Sequence, residues 1–412
     1  MKRVSYILIL GLVSISVPSC SDLLDVESRT QITTNYVYST PEGLSRAIVG
    51  LYQLDRSVAR KDGGSATCYA SWLLDAVSDL TIWRGGSPEH IFKLSASYTP
   101  DYAVISDWWT HYYNVIGKAN EIIASAEQLG LEHPEVVAAW AEAKVFRARC
   151  HLELYKKWER ILLSKEPTTA DNYDKQTYRP ASKQEVFTLI YDDLQEAIDS
   201  GGLEWTVPAK STGTTPEYGR FTIAVAKHIK AEAALWMEDW DEAIEQCEDI
   251  FERPEYDLYP NTIDCFTGAN LNQLDGVGYT ENLLVQQFSE SVAGGGAISG
   301  GAVAGHRMSA IGTPALKNVI GENLVEYGGF GWGRGYPNTY LLSLYDKEKD
   351  VRYNTLFKHT WTFPEGHAKA GQTIKVPEDV SHQNYLRDLH FQSLKYFDQW
   401  TNTNNPDRTT GF

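Results

Sequence analysis

Paired cysteines, clustered histidines, positive charge and long apolar runs are all scarce in this 412-residue chain, and each shortage excludes a class of protein. The five cysteines show no C-x-x-C spacing, so neither a structural zinc site nor a dithiol redox motif is indicated. Ten histidines never form H-E-x-x-H or another close ligand pair, and no metal site is expected. The G-x-S-x-G elbow of serine hydrolases is absent. Gly294-Gly295-Gly296 and Gly331-Trp332-Gly333-Arg334-Gly335 lack the strand before, and the helix or Gly-Lys-Ser/Thr after, that a phosphate cradle needs. Lys and Arg number 37 against 54 Asp and Glu, a net charge of −17 that repels phosphate and argues against nucleic acid as a partner. Glycoside hydrolysis needs two carboxylates across a sugar, and nothing singles out a pair, so no catalytic residues are named.

Rings are abundant instead: 12 Trp, 24 Tyr and 13 Phe against 3 Met. Such a composition suits a large helical core and equally suits a stacking surface. The longest apolar run, Val4 to Val17, follows the positive Met1-Lys2-Arg3 and spans 14 residues. That is shorter than the roughly 20 a membrane-spanning helix needs, and it fits the apolar region of a signal peptide. Val17-Pro18-Ser19-Cys20 then puts a small residue before a Cys, as in a bacterial lipobox. Residues 1–19 are expected to be a signal peptide, Cys20 a lipid anchor, and residues 20–39 a polar spacer. Export permits a disulfide among Cys68, Cys150, Cys247 and Cys265, but spacing selects no pair.

From Thr40-Pro41 onward the pattern is helical, with Thr40 as cap, Pro41 in the first turn, and Leu44, Ile48 and Leu51 as a stripe. Between Ala103 and Leu129, Trp108, Tyr112, Val115, Ala119, Ile122 and Ala126 step by three or four. Gly130 ends that helix and His133-Pro134 opens the next. There Ala141, Val145, Ala148, Leu152 and Tyr155 form one stripe and Phe146, Cys150 and Leu154 a second, so the helix packs on two sides. Ser182 and Glu185 make a capping box ahead of Phe187, Ile190 and Leu194. Ala226, Ile229, Ala233 and Trp236, a two-residue turn, and Trp240, Ala243, Ile244 and Ile250 read as a helical hairpin. Such pairs resemble tetratricopeptide units with long, unequal connections. After about residue 255 glycine, asparagine and tyrosine dominate, with helical periodicity only near Pro337–Tyr345.

The expected class is thus mainly α: a tetratricopeptide-like helical-pair scaffold, mainly residues 40–255, and a loop-rich, ligand-binding portion, residues 256–412. Loops on a rigid scaffold commonly hold ligands. Trp83, in the turn-rich Ile82-Trp83-Arg84-Gly85-Gly86-Ser87-Pro88, and Trp361, in His359-Thr360-Trp361-Thr362-Phe363-Pro364, fall outside the helical stripes. A ring on a loop can stack on a sugar face while Arg84 and His90 hydrogen-bond its hydroxyls, so Trp83, Arg84, His90 and Trp361 are the candidate ligand contacts. The competing role for both rings is to pin their loops to the core.

These pieces in this order resemble the SusD/RagB family of exported nutrient-binding lipoproteins. The resemblance is carried by Cys20-Ser21-Asp22-Leu23-Leu24-Asp25, by Ala141-Glu142-Ala143-Lys144-Val145-Phe146-Arg147-Ala148, and by Glu185-Val186-Phe187 with Ile190-Tyr191-Asp192-Asp193-Leu194. It continues in Gly219-Arg220-Phe221-Thr222 with Trp240-Asp241-Glu242-Ala243-Ile244, and in Gly331-Trp332-Gly333-Arg334-Gly335-Tyr336-Pro337 followed by Asp350-Val351-Arg352. The resemblance implies a SusD-like domain over residues 40–412 that binds oligosaccharide at the cell outer membrane. It implies delivery to a TonB-dependent SusC-like transporter, attachment through the N-terminal lipid, and neither catalysis nor a cofactor. A peptide or other nutrient as ligand, or a surface glycosidase, are the alternatives. Family members usually continue with a further helix returning to the scaffold. Here the sequence stops at Phe412, so a shortened C-terminus is expected, with one side of the helix ending near Tyr155 left without a neighbour.

Overall fold

A proline tolerated in the first helical turn and a threonine before it set the first long helix. In the computed structural model the Gly43 amide donates to Thr40 Oγ1 at 3.0 Å, and α2 runs Pro41–Arg60 behind the short α1, Thr34–Ser39. The structure describes residues 34–60, 78–83, 87–174, 178–207, 219–266, 281–286, 312–322, 324, 327, 331–376 and 388–396. The expected signal peptide, Cys20, Cys68 and Arg84 lie outside them.

The scaffold follows the periodicity closely. After the short α3 (Ser87–Phe92) come α4 (Ala103–Leu129), α5 (Pro134–Trp158), α6 (Lys183–Asp199), α7 (Ile223–Met237) and α8 (Trp240–Phe251). From α4 to α8 each packs on the next in sequence, and α2 lies across α4 and α5. Stops and starts are chemical. Gly130 takes φ 91° after α4, and its amide donates to the Ala126 carbonyl at 3.0 Å. Ser182 and Glu185 close the expected capping box on α6. Between α7 and α8, Glu238 adopts the left-handed region (φ 61°) and Asp239 Oδ1 accepts from the Glu242 amide at 3.3 Å. The result is mainly helical, with successive antiparallel pairs.

Helix α5 is the axis of this layer. Both of its stripes are buried, Val145, Leu152, Phe146, Cys150 and Leu154 all completely so. The expectation that one side lacks a neighbour is therefore corrected: α4, α6 and α2 all pack on it. Exposed apolar surface lies instead on the last hairpin, at Leu235, Trp236, Trp240, Ile244 and Phe251. Cys150, Cys247 and Cys265 are free thiols.

The loop-rich portion builds a second, smaller core. Among the described residues, helices α9 (Lys317–Ile320), α10 (Thr339–Leu344) and α11 (Val351–Leu356) accompany three two-stranded antiparallel ladders. The strands are β1 (Thr81–Trp83) with β2 (Gly335–Pro337), β3 (Phe357–Lys358) with β6 (Gln392–Ser393), and β4 (Thr360–Thr362) with β5 (Thr373–Lys375). Leu316, Tyr327, Tyr336, Tyr353, Trp361 and Phe391 fill its centre.

Candidate functional site

Two capped helices and a ladder shape a cavity of the loop-rich portion. Asn338 caps α10, its Oδ1 accepting from the Leu341 amide at 2.9 Å, while its Nδ2 donates to the Asp79 carbonyl at 2.6 Å. Asp350 caps α11 through the Arg352 amide at 3.0 Å and holds the Arg352 guanidinium at 2.7 Å. The Asp350-Val351-Arg352 motif is thus a helix start. The Val376 amide donates to the His359 carbonyl at 2.9 Å, so the end of the β4–β5 ladder closes a third wall.

Between these elements lies a cavity of about 540 Å³, within the range of small-ligand sites. Tyr345, Tyr353, His359 and Phe391 supply rings; Leu342 and Val376 supply apolar wall; Thr339, Ser343 and Asn354 supply hydroxyl and amide groups; Lys347 and Lys375 supply charge. The rings form one cluster, Tyr345 to Tyr353 at 6.2 Å, Tyr353 to Phe391 at 5.9 Å and His359 to Phe391 at 5.2 Å. Tyr353 and Phe391 are buried, whereas Tyr345 is half-buried and Lys347, Asn354 and Lys375 are exposed. The Lys347 ammonium lies 5.0 Å from the Tyr353 ring centre, a cation–π contact. Burial, then the charges of Lys375 and Lys347, push the His359 imidazole below its ordinary value, which keeps it neutral near pH 7. Its Nδ1 lies 3.2 Å from Thr360 Oγ1.

Two other cavities are less suited to a polar ligand held by several groups. One, about 400 Å³ beside α8, is walled mainly by Ile250, Phe251, Leu258 and Leu283. The other, about 340 Å³, lies at the α6 N-terminus, where Arg179 and Glu185 already pair.

The residues expected from sequence fall elsewhere. Trp83 is 2% exposed; it ends β1, its Nε1 donates to Thr81 Oγ1 at 3.1 Å, and it faces Gly335 across the ladder. A Cβ on Gly335 would sit 2.8 Å from the Trp83 ring, so the glycine is the seat of that ring. Trp361 is 0% exposed at the centre of the second core. Both rings are corrected from stacking platforms to packing residues, because burial leaves neither a free face. His90 is exposed on α3, with Nδ1 3.0 Å from Ser95 Oγ. The strand β4 that carries Trp361 pairs with β5, whose Lys375 lines the cavity. The tyrosines of the cavity were missed because nothing in their local spacing separates them from core residues; the nearest signal was the Asp350-Val351-Arg352 motif between them.

No family model matches the chain. Over 264 residues it is 20% identical to SusD-like protein P25 of Formosa agariphila, covering 61% of this chain and 47% of that protein. The matched stretch is thus about half the length of the curated relative. Among solved structures, a SusD-like carbohydrate-binding protein from Bacteroides fragilis superposes with a TM-score of 0.66 at 18% identity, covering 91% of this chain and 71% of the other. Surface glycan-binding protein A from Bacteroides thetaiotaomicron, in complex with laminarihexaose, gives 0.62 at 15% identity, covering 86% and 70%. At these identities the likeness establishes the fold.

Proposed function

We propose that this chain, SusD-like in fold, is a cell-surface glycan-binding lipoprotein that captures an oligosaccharide in the Tyr345–Tyr353–Phe391 cavity and passes it to a TonB-dependent SusC-like transporter. The observation that carries this reading is a ring-walled cavity with hydroxyl, amide and imidazole groups, set in a fold whose solved relatives include glycan binders. Stacking buries the C–H face of a sugar, while side-chain donors and acceptors fix which hydroxyls are read. Among the described residues its walls offer ammonium, amide and hydroxyl groups rather than the paired carboxylates that glycoside hydrolysis uses. That favours a binder over a glycosidase.

Residues 1–19 as signal peptide, Cys20 as lipid anchor and residues 20–39 as spacer complete the reading. They place the 40–412 domain at the outer membrane, with residues 256–412 carrying the ligand. Among the described residues no helix is long and apolar enough to cross a membrane, which is compatible with tethering through lipid.

The test is a glycan array on the purified chain, repeated with Tyr345→Ala. At least one oligosaccharide should bind, and the variant should lose about tenfold or more in affinity, roughly 1.4 kcal/mol, with an unchanged melting temperature. Binding that survives Tyr345→Ala unaltered places the glycan elsewhere; release of reducing sugar from the bound glycan would establish a glycosidase.

A further inference from the structure

The last scaffold helix carries two apolar faces, and only one of them is buried. On α8, Ala243, Gln246 and Ile250 form the packing face. Trp240, Ile244, Cys247 and Phe251 recur at steps of four, three and four, so they share a second face beside it. Trp240 is 58% exposed, Ile244 54% and Phe251 74%. Single exposed apolar side chains are ordinary, but several in register along one helix mark a contact surface. Among the described helices, α7 is the one that packs closely on α8, whereas the outermost unit of a helical stack ordinarily turns a polar face outward.

The stripe runs into a pocket and follows a line of charge. Cys247 and Phe251 also line the cavity of about 400 Å³ that Ile250, Leu258 and Leu283 wall. Asp241, Glu245, Glu248 and Glu252 repeat the spacing of the stripe one position later, which sets them along one of its edges, and all four are exposed. Glu242 and Asp249, by contrast, are held by Lys230 and Lys227. Asp257 and Glu281, both exposed, stand in the lining of the pocket, which includes no Lys or Arg among the described residues.

An apolar stripe about 17 Å long, a pocket beside it and a row of carboxylates along it are the parts of a helix-in-groove contact. Charge selects the occupant. A second copy of this chain would bring a second row of the same carboxylates to the contact, on a molecule that already carries −17, and like charges meeting at an interface are costly. A helix with Lys or Arg beside its apolar stripe gains charge-assisted contacts there instead.

We propose that the outer face of α8 docks a basic amphipathic helix of a partner protein. Its apolar side chains lie on Trp240, Ile244, Cys247 and Phe251, with one of them seated in the pocket. Its basic flank meets Asp241, Glu245, Glu248 and Glu252. This contact is independent of the glycan cavity.

The probe is a synthetic helix of about three heptads, with Leu at the a and d positions and Lys along its flanks. Its controls are the same stripe with Glu flanks and a scramble of the Lys peptide. Fluorescence anisotropy on the full chain should show the Lys peptide binding at least tenfold more tightly than either control. Ile244→Ser with Phe251→Ser, both at exposed positions, should weaken that binding at least tenfold, and circular dichroism melts confirm that the variant is folded. Glu245→Gln with Glu248→Gln should narrow the gap between the Lys and Glu peptides. The free, half-buried Cys247 thiol reports occupancy: its alkylation, followed by mass spectrometry, should slow at least tenfold when the Lys peptide is bound. Equal binding of the scramble, or binding unchanged in the folded serine variant, overturns the proposal. A Cys247 that resists alkylation in the free monomer would show that the chain covers this face itself. A dimer in sedimentation that the serine variant dissolves would show that a second copy covers it. Either result overturns the assignment to a partner.

Discussion

Arg147 is buried, yet both oxygens of the equally buried Asp193 accept from its guanidinium at 2.7 Å, and its Nη1 donates to Asn120 Oδ1 at 2.9 Å. Lys144 joins the same carboxylate at 3.1 Å. The Ala141–Ala148 motif therefore buries charge with its partners rather than exposing it to a ligand. His151 lies one turn further along. Its Nδ1 sits 2.9 Å from the Arg147 carbonyl, while its Nε2 accepts from the Ser164 amide at 3.4 Å. That network assigns a neutral ring with the proton on Nδ1. A second proton on Nε2 would face the Ser164 N–H donor, and burial pushes the group down to about 4 from 6.5. The sign follows from proton counts. Below pH 6.5 the unfolded chain takes up a proton that the folded chain refuses until about pH 4. The stabilisation is thus whole above pH 6.5 and is lost as pH falls toward 4, by roughly 3 kcal/mol in total. Denaturant unfolding at pH 7, 5.5 and 4 should show this loss, and His151→Asn should flatten that part of the slope. A variant slope identical to the parent's would remove His151 as the cause.

At the scale of elements, the pairing of β1 with β2 joins segments more than 250 residues apart in sequence, with the Asn338 amide donating to the Leu80 carbonyl at 3.0 Å beside it. Three-residue strands have little ladder to hold them, so the Trp83 ring laid over Gly335 does much of the fixing. An aromatic opposite a glycine compensates for the missing side chain. Trp83→Ala should therefore lower stability by about 3–5 kcal/mol while leaving glycan affinity unchanged when measured well below the melting point. Lost affinity with intact stability would return Trp83 to the binding surface. The long helices were legible in the sequence because each carries a local signal: the three-and-four spacing of α4, its stop at Gly130, the Ser182–Glu185 box. The strands were not, since two or three residues hold no period and their partners lie far away. The glycines of Gly331-Trp332-Gly333-Arg334-Gly335 could be excluded from phosphate binding on context, but their purpose needed the distant ring. A Cβ on Gly331 would fall 2.1 Å from the Pro314 carbonyl oxygen, another approach that no local pattern announces. Trp83 and Trp361 were likewise visible as rings outside helical stripes, and only three-dimensional packing could show that both are covered.

Among the described residues, the scaffold core and the core of the loop-rich portion are of unequal size. The scaffold core gathers side chains from α2 and α4 through α7 around the fully buried stripes of α5. The second core is much smaller, and short ladders and three helices of four to six residues hold it. Short two-stranded ladders are marginal by themselves, and local opening follows local contact density. Backbone amides of α4, α5 and α6 should consequently exchange with solvent most slowly. Those of α11 and the β4–β5 ladder should open at lower free energy while the scaffold stays closed. The proposed cavity is walled by those more easily opened elements, which couples binding to their order. A glycan at 100 times its Kd stabilises the bound form by about 2.7 kcal/mol. Openings that release the glycan, around Tyr353, His359 and Lys375, should be slowed by close to that amount, whereas openings confined to the scaffold should not change. Hydrogen exchange with and without the array's tightest glycan measures both. Uniform protection without ligand would show that the two cores open as one unit, and ligand-induced slowing confined to α5 and α6 would place the glycan on the scaffold instead of between α10, α11 and β5.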